Sequence, residues 1–308
     1  MLPVRTYLQH GTHAKRRRSG YILLIVLTMI LMAGLLATSA AHHGLMAATQ
    51  SALAEKELQR RWGVISCRQA VLNRAEILLK RRELQRRDEE RMPPRLETSI
   101  LLGGVRFQLR LADEQAKLNL NTVFSERGER HVDRVIRELA DFSGSISTSV
   151  LTPHPQAVSG RPHPPAFDSW GQVFCYERFR GSRSTNELPR AIMAATEKVT
   201  CWGDGRLNVS RAEMAVLHAT CRSAVNPEAA RRFVETWTQN PHWNLDRLLG
   251  GTDLRRDEQQ ILKRFLTDRS RCHSLWIHLE SGKRREAVLS LVRTSGQAGD
   301  GRITTFHW

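Results

Sequence analysis

None of the short motifs that mark common enzyme sites occurs in this 308-residue chain: no GxSxG, no HExxH, no P-loop and no GxGxxG. That removes the nucleophile elbow, the zinc-protease helix and the two most familiar phosphate cradles. The five cysteines, Cys67, Cys175, Cys201, Cys221 and Cys272, form no CxxC or other metal-ligand spacing. Asp204-Gly205 and Asp300-Gly301 are turn dipeptides, and neither leads into a calcium-loop pattern. Acidic residues are missing from positions 1–20, which carry five cations. Charge of either sign is then missing from 21–41, for 21 residues in a row.

The last two absences define the stretch around which the chain is organised. Lys15, Arg16, Arg17 and Arg18 lead through Ser19-Gly20 into the apolar run. As a helix, that run is about 30 Å long, the thickness of a bilayer's hydrocarbon core. Cations before the span place the N-terminus in the cytoplasm and the remainder of the chain outside it. A cleaved secretory signal would have a shorter apolar region, roughly 7–15 residues, followed by a small-residue site. Here a glycine precedes the apolar run instead.

Basic residues, then Gly20, then an apolar helix resembles the leader of type IV pilin-like proteins. The resemblance implies cleavage after Gly20 by a prepilin peptidase and methylation of the new N-terminal residue, Tyr21. Most members of that family carry Glu at the fifth mature position, which here is Ile25. A carboxylate at membrane depth needs a neutralising partner, which the family draws from the neighbouring subunit. Loss of the Glu therefore suits a subunit with nothing above it, at the tip of a pseudopilus.

The formal net charge is +16. Such a balance suits nucleic acid or an anionic surface. However, the cations are interspersed with acids, as in Glu55-Lys56-Glu57 and Arg86-Arg87-Asp88-Glu89-Glu90-Arg91, which reads as a solvated face. An exported domain tolerates disulfides, so one bridge is expected among Cys175, Cys201, Cys221 and Cys272, and the odd count means that at least one cysteine is free or bridges to another chain.

Past the span the helical pattern continues. Leu53, Leu58, Trp62, Ile65, Leu72, Ala75 and Leu79 recur on one face, which predicts one long helix over about 21–85. Gly63 within it costs about 1 kcal/mol relative to Ala, and Met92-Pro93-Pro94 ends it. A hairpin follows, with 100–102 and 105–111 flanking Gly103-Gly104.

Next comes Asp113-Glu114-Gln115-Ala116-Lys117-Leu118-Asn119-Leu120-Asn121-Thr122. It closely resembles the Asp-Glu-x-x-Lys-x-Asn-Leu-Asn-Thr stretch of the type II secretion minor pseudopilin K family. Read mechanically, a strand exits and Asn or Thr caps a helix running through 131–139. The family-like positions are Asp113, Glu114, Lys117, Asn119, Asn121 and Thr122. A second, degraded copy is Leu207-Asn208-Val209-Ser210-Arg211, with Asn208 matching and Arg211 standing where the family has Thr. Residues 198–202 read as a short strand. Ser210 is the expected N-cap of a helix over 211–221, with Glu213 in the capping-box position. Further helices are expected over 227–238 and 257–266. Pro153-His154-Pro155 and Pro162-His163-Pro164-Pro165 lie in a Ser/Pro/His-rich loop over 141–170. The tail offers strands at 274–279, 284–293 and 303–308.

The expected fold is α+β: a long N-terminal transmembrane and amphipathic helix packed on a small antiparallel sheet, pilin-like, with a large all-helical insertion. Its segments are a cytoplasmic leader (1–20), the transmembrane part of the helix (21–41) and its periplasmic part (42–92). A first sheet hairpin (93–117), a helical insertion with two related subdomains (118–270) and the closing strands (271–308) complete it. The resemblance implies a non-catalytic minor pseudopilin of a type II secretion system, anchored once in the inner membrane with its C-terminal domain in the periplasm. It would cap the pseudopilus tip and support export of folded proteins. Implied partners are other minor pseudopilins, the prepilin peptidase and the secretin or a secreted substrate; calcium is implied without ligands that can be named. Two other readings stand beside it, a type IV pilus minor pilin and a membrane-anchored helix-hairpin-helix DNA-binding protein. The latter needs hairpin glycines so that backbone amides can reach a phosphate. Residues 219–225 contain none, and no nucleic acid is expected.

Overall fold

A computed structural model describes residues 16–85, 94–140, 166–174, 195–240, 242–281, 284–294 and 301–307. The expected leader start, the proline stop at 92–93, Cys175 and most of the 141–170 loop lie outside these residues. The chain divides into two compact units, Met1–Arg61 and Trp62–Trp308.

The first unit is helical. Helix α1 (Arg16–Leu72) begins there, and it is long and apolar enough to cross a membrane. Its few hydroxyls turn back onto the helix: Thr28 Oγ1 donates to Ile25 O at 2.8 Å and Thr49 Oγ1 to Met46 O at 2.8 Å. Such back-bonding satisfies the hydroxyl within the helix itself. Charge returns at Glu55, and Arg61 Nε meets Glu57 Oε1 at 2.8 Å, four residues apart on one face.

The second unit begins with the end of α1. The single helix predicted over 21–85 is broken: α1 stops at Leu72 and α2 (Ala75–Gln85) starts after a turn at Asn73 and Arg74. Asn is a weak helix former that competes for backbone hydrogen bonds. Here the Arg74 N–H falls back to Val71 O at 3.1 Å, a tighter three-residue closure. The inward face of this pair, Cys67, Val71, Leu72, Ala75 and Leu79, is buried against Phe107, Leu109, Leu111, Leu275, Ile277 and Leu279 of the sheet.

That sheet has five antiparallel strands in the order β1-β2-β7-β8-β9. They are β1 (Arg95–Leu102), β2 (Val105–Asp113), β7 (Cys272–Ser281), β8 (Arg284–Thr294) and β9 (Gly301–His307). Gly103 and Gly104 both have positive φ, 56° and 77°, which a two-residue hairpin of this hand requires. Strand β8 shows why the sheet has two cores. Val288 and Val292 face the N-terminal helix, while the alternating Leu289 and Leu291 join a second cluster.

The second cluster belongs to an insertion. β2 and β7 are adjacent, paired from Arg106↔Glu280 to Asp113↔His273. Everything between Asp113 and Cys272 therefore leaves and rejoins the sheet at one corner. The insertion contains α3 (Leu120–Arg127), α4 (Glu129–Ala140), α5 (Trp170–Val173), α6 (Met214–Ala224), α7 (Pro227–Gln239), α8 (Leu245–Gly251) and α9 (Arg256–Phe265). Two two-residue parallel ladders run through it: β3 (Leu118–Asn119) with β4 (Val199–Thr200), and β5 (Leu207–Asn208) with β6 (Leu266–Thr267). The repeated Leu-Asn thus makes the same local structure twice.

Three local expectations are corrected. Gly128, at φ 75°, separates α3 from α4 where one helix was predicted. Ser210 is not an N-cap: its N–H donates to Asn208 Oδ1 at 3.0 Å and the Arg211 N–H to Asn208 O at 3.2 Å. That turn delays the helix to Met214, with Glu213 at the capping position. Cys201, Cys221 and Cys272 are all free and buried, so the expected bridge is not formed among them. Burial pushes all three thiols up, which keeps them protonated and unreactive.

Gly63 has a packing reason that its helical position alone conceals. A Cβ there would lie 2.2 Å from Cζ of Phe107, a fully buried ring. Helix propensity predicts that Gly63→Ala stabilises by about 1 kcal/mol; overpacking of roughly 1–3 kcal/mol opposes it. We expect Gly63→Ala to lower the Tm of the detergent-solubilised chain by several degrees. A raised Tm would mean that the Phe107 ring can step aside.

Candidate functional site

The family-like motif falls at the neck where the insertion joins the sheet. Asp113 ends β2, and residues 114–116 form a single 3-10 turn that opens on the Asp113 side chain, which accepts from the Gln115 N–H at 2.9 Å. The chain returns through Ser270, Arg271, His273 and Ser274. Exit and return are stitched directly. Ser270 Oγ donates to Asp113 Oδ2 at 2.5 Å, Ser274 Oγ to Glu114 Oε1 at 2.5 Å, and the Arg271 N–H to Gln115 Oε1.

Glu114 is fully buried, and an unpaired carboxylate there would be costly. Lys117 Nζ lies 2.6 Å from its Oε1, and Thr200 Oγ1 donates to Oε2 at 2.6 Å. Asn119 Oδ1 caps α3 by accepting the Thr122 N–H at 3.1 Å, while its amide donates to Trp202 O at 2.7 Å. Asn121 grips two backbones, donating to Phe167 O at 2.9 Å and Cys201 O at 2.8 Å and accepting from the Phe167 N–H at 2.8 Å. Thr122 Oγ1 donates to Gly205 O at 2.8 Å. Asn208 reaches the neck from the second repeat, donating to Ser270 Oγ at 2.7 Å. The structure therefore brings Asp113, Glu114, Lys117, Asn119, Asn121, Thr122 and Asn208 into one hydrogen-bonded joint. Gly20, Tyr21 and Ile25 belong to the first unit, at exposed positions of α1.

Several residues of the joint were not singled out from sequence. Arg211 is the chief one. Its guanidinium meets Asp113 Oδ2 at 3.0 Å, Glu76 at 2.9 and 3.0 Å, and Glu83 Oε1 at 2.6 Å. His273 Nε2 is 3.2 Å from Glu76 Oε2. Burial pushes the Glu76 carboxyl up, but hydrogen bonds from His273 and Arg211 outweigh it and hold the group down at about 2. Burial likewise opposes, and the carboxylates overcome, a shift that drives Arg211 upward. Away from the corner, Glu197 ties the insertion to the hairpin through Arg95 at 3.1 Å and Arg110 at 2.5 Å. The available signal for Arg211 was its place in the second repeat, where the first copy has Thr122.

The arrangement is a structural joint. Its carboxylates are matched by guanidinium or ammonium groups, leaving no open coordination sphere. Among the described residues no group of three His, Cys, Asp or Glu side chains could hold a metal ion.

No family model and no curated protein matches the chain. Among solved structures, it is similar to a chain of "The Crystal Structure of the GspK-GspI-GspJ complex from enterotoxigenic Escherichia coli Type 2 Secretion System". The two are 15% identical, with a TM-score of 0.42, over 84% of this chain and 98% of that one. The likeness is one of coarse outline.

The joint makes two measurable claims. Lys117→Met leaves Glu114 buried without its ammonium, which should cost roughly 3–5 kcal/mol in denaturant unfolding. Lys117→Met with Glu114→Met should cost much less, because no uncompensated charge remains; equal losses would mean that packing governs. For Glu76, the folded carboxyl titrates below its ordinary value of 4.5. Its stabilising contribution is therefore complete above about pH 4.5 and is lost as pH falls towards 2. The Tm gap between wild type and Glu76→Gln should shrink across that window; a gap unchanged down to pH 2 would refute the pairing.

Proposed function

We propose that this chain is a non-catalytic, pilin-like subunit of the minor pseudopilin K type, working at the tip of a type II secretion pseudopilus. The observation that carries this reading is the insertion itself. A helix and antiparallel sheet of pilin plan carry, at one corner between adjacent strands, a mainly helical body longer in sequence than the remainder of the second unit. Such a mass would block a further subunit from stacking above it. The leader pattern supports cleavage after Gly20, methylation of Tyr21 and a single inner-membrane span with a cytoplasmic N-terminus. Ile25 in place of a membrane-depth carboxylate fits a subunit that needs no neutralising neighbour. Proposed partners are other minor pseudopilins and the prepilin peptidase, with the secretin or a secreted substrate encountered during export.

Against the DNA-binding alternative stands the connection between α6 and α7. Asn226 Oδ1 already accepts the Ala229 N–H at 2.8 Å, and Pro227 removes another amide. The helix N-terminus that would hold a phosphate is thus partly filled from within. A type IV pilus minor pilin shares the leader and helix, and the paired Asn repeats weigh towards the secretion system.

Mass spectrometry of the membrane-extracted protein is the direct test. We expect a mature chain beginning at N-methylated Tyr21. An intact Met1, or cleavage near Ala41, would sink the pilin-like reading. In a secretion assay Ile25→Glu should impair export, since the new carboxylate has no partner; normal secretion by that variant would count against the tip position.

A further inference from the structure

The two repeats differ at one position that matters. Leu118-Asn119-Leu120-Asn121-Thr122 and Leu207-Asn208-Val209-Ser210-Arg211 each form a two-residue parallel strand followed by an Asn-organised turn. In the first copy the last residue, Thr122, is tied inside the insertion, to Gly205 O. In the second copy the corresponding Arg211 turns out of the insertion. Its Nε, Nη1 and Nη2 are all engaged by carboxylates of two other elements, Asp113 of β2 and Glu76 and Glu83 of α2. Glu76 and Glu83 are seven residues apart and so share one helix face.

We infer that Arg211 is a dedicated latch that couples the orientation of α2 to the helical insertion. The turn at Asn73 and Arg74 interrupts the helix between α1 and α2, so contacts made by α2 itself help to set its direction. Apolar anchoring on α2 comes from the buried Ala75 and Leu79, with the partly buried Leu78 packed against the same cluster, while Ile77 and Leu84 are exposed. What remains is the charged face. A guanidinium whose side chain is 4% exposed holds it, beside the fully buried Asp113 side chain. A planar fork can serve three carboxylates at once, whereas a threonine could reach none of them. Around the latch, His273 and Lys80 each approach Glu76, at 3.2 and 3.8 Å. Ser270 meets Asp113 as described above. Neither His273 nor Lys80 bridges α2 to the insertion, so among the described residues of this cluster Arg211 makes that connection. A displacement of the insertion is thereby passed to the helix, and the reverse, whichever assembly the subunit serves.

Hydrogen exchange on the full chain in detergent, read by mass spectrometry, tests this without reference to secretion. The informative variant is Arg211→Thr with Asp113→Asn, which restores the residue type of the first repeat and leaves no buried unpaired charge. Amides of α2 should exchange roughly tenfold faster or more, while those of α6 and α7 stay within about twofold of wild type. Glu83→Gln, which keeps Arg211 on Asp113 and Glu76, should accelerate α2 alone by a smaller factor. Unchanged α2 protection in both variants would overturn the latch. So would equal acceleration of α2, α6 and α7, since Arg211 would then be a core support of the insertion. If the double variant does not fold, the Glu83→Gln result decides between these outcomes.

Discussion

Two carboxylates, Asp113 and Glu114, sit next to each other with no access to water where the insertion leaves the sheet. A buried charge is costly unless it is paired, and the partners of both come from outside β2. Glu114 is met by Lys117, three residues on, together with hydroxyls from Thr200 and Ser274. Asp113 is met by Arg211 and Ser270, from 98 and 157 residues away. Closing the neck therefore requires the insertion to be folded and both of its ends to be at the same corner. The sheet, the insertion and α2 are bound into one electrostatic problem with few solutions.

This explains how so large an excursion leaves the sheet undisturbed. β2 and β7 keep an uninterrupted antiparallel register up to Asp113↔His273, as if a tight hairpin joined them. The cost of ordering the long connection is offset by its own apolar core, which includes Phe167, Trp170, Trp202, Phe233 and Trp237. That core is shared with the sheet through Leu289 and Leu291, and Phe306 packs on Trp202 with ring centroids 5.8 Å apart. A sheet face that would otherwise be exposed is buried, and the two hydrophobic clusters meet across a single layer of strands.

Legibility in the sequence varied with how local each feature was. The Gly-Gly hairpin, the alternating strands of the tail, the Pro227 helix start and the apolar helix were readable because each depends on neighbours within a few residues. The break at Asn73 was not, because Asn inside a helix costs only a few tenths of a kcal/mol and the periodic pattern runs straight through it. The Ser210 cap was misread for a related reason: Asn208 competes for the same backbone amides and wins. The motif residues could be picked out from their family-like spacing, but their work as a joint could not, since their partners lie on distant strands.

By itself the sequence determined the elements whose physics is one-dimensional. These are an uncharged run long enough to span a bilayer, a basic flank before it, a glycine hairpin and two copies of a Leu-Asn turn. It also carried the clue that the second copy ends in Arg rather than Thr. Only the tertiary structure decided what that Arg does. Pairing a buried charge is a matter of position in space, and residues 76, 83, 113 and 211 share no spacing that announces their meeting. The free state of Cys201, Cys221 and Cys272 was decided in the same way, by where the fold buries each thiol and not by how many the chain contains.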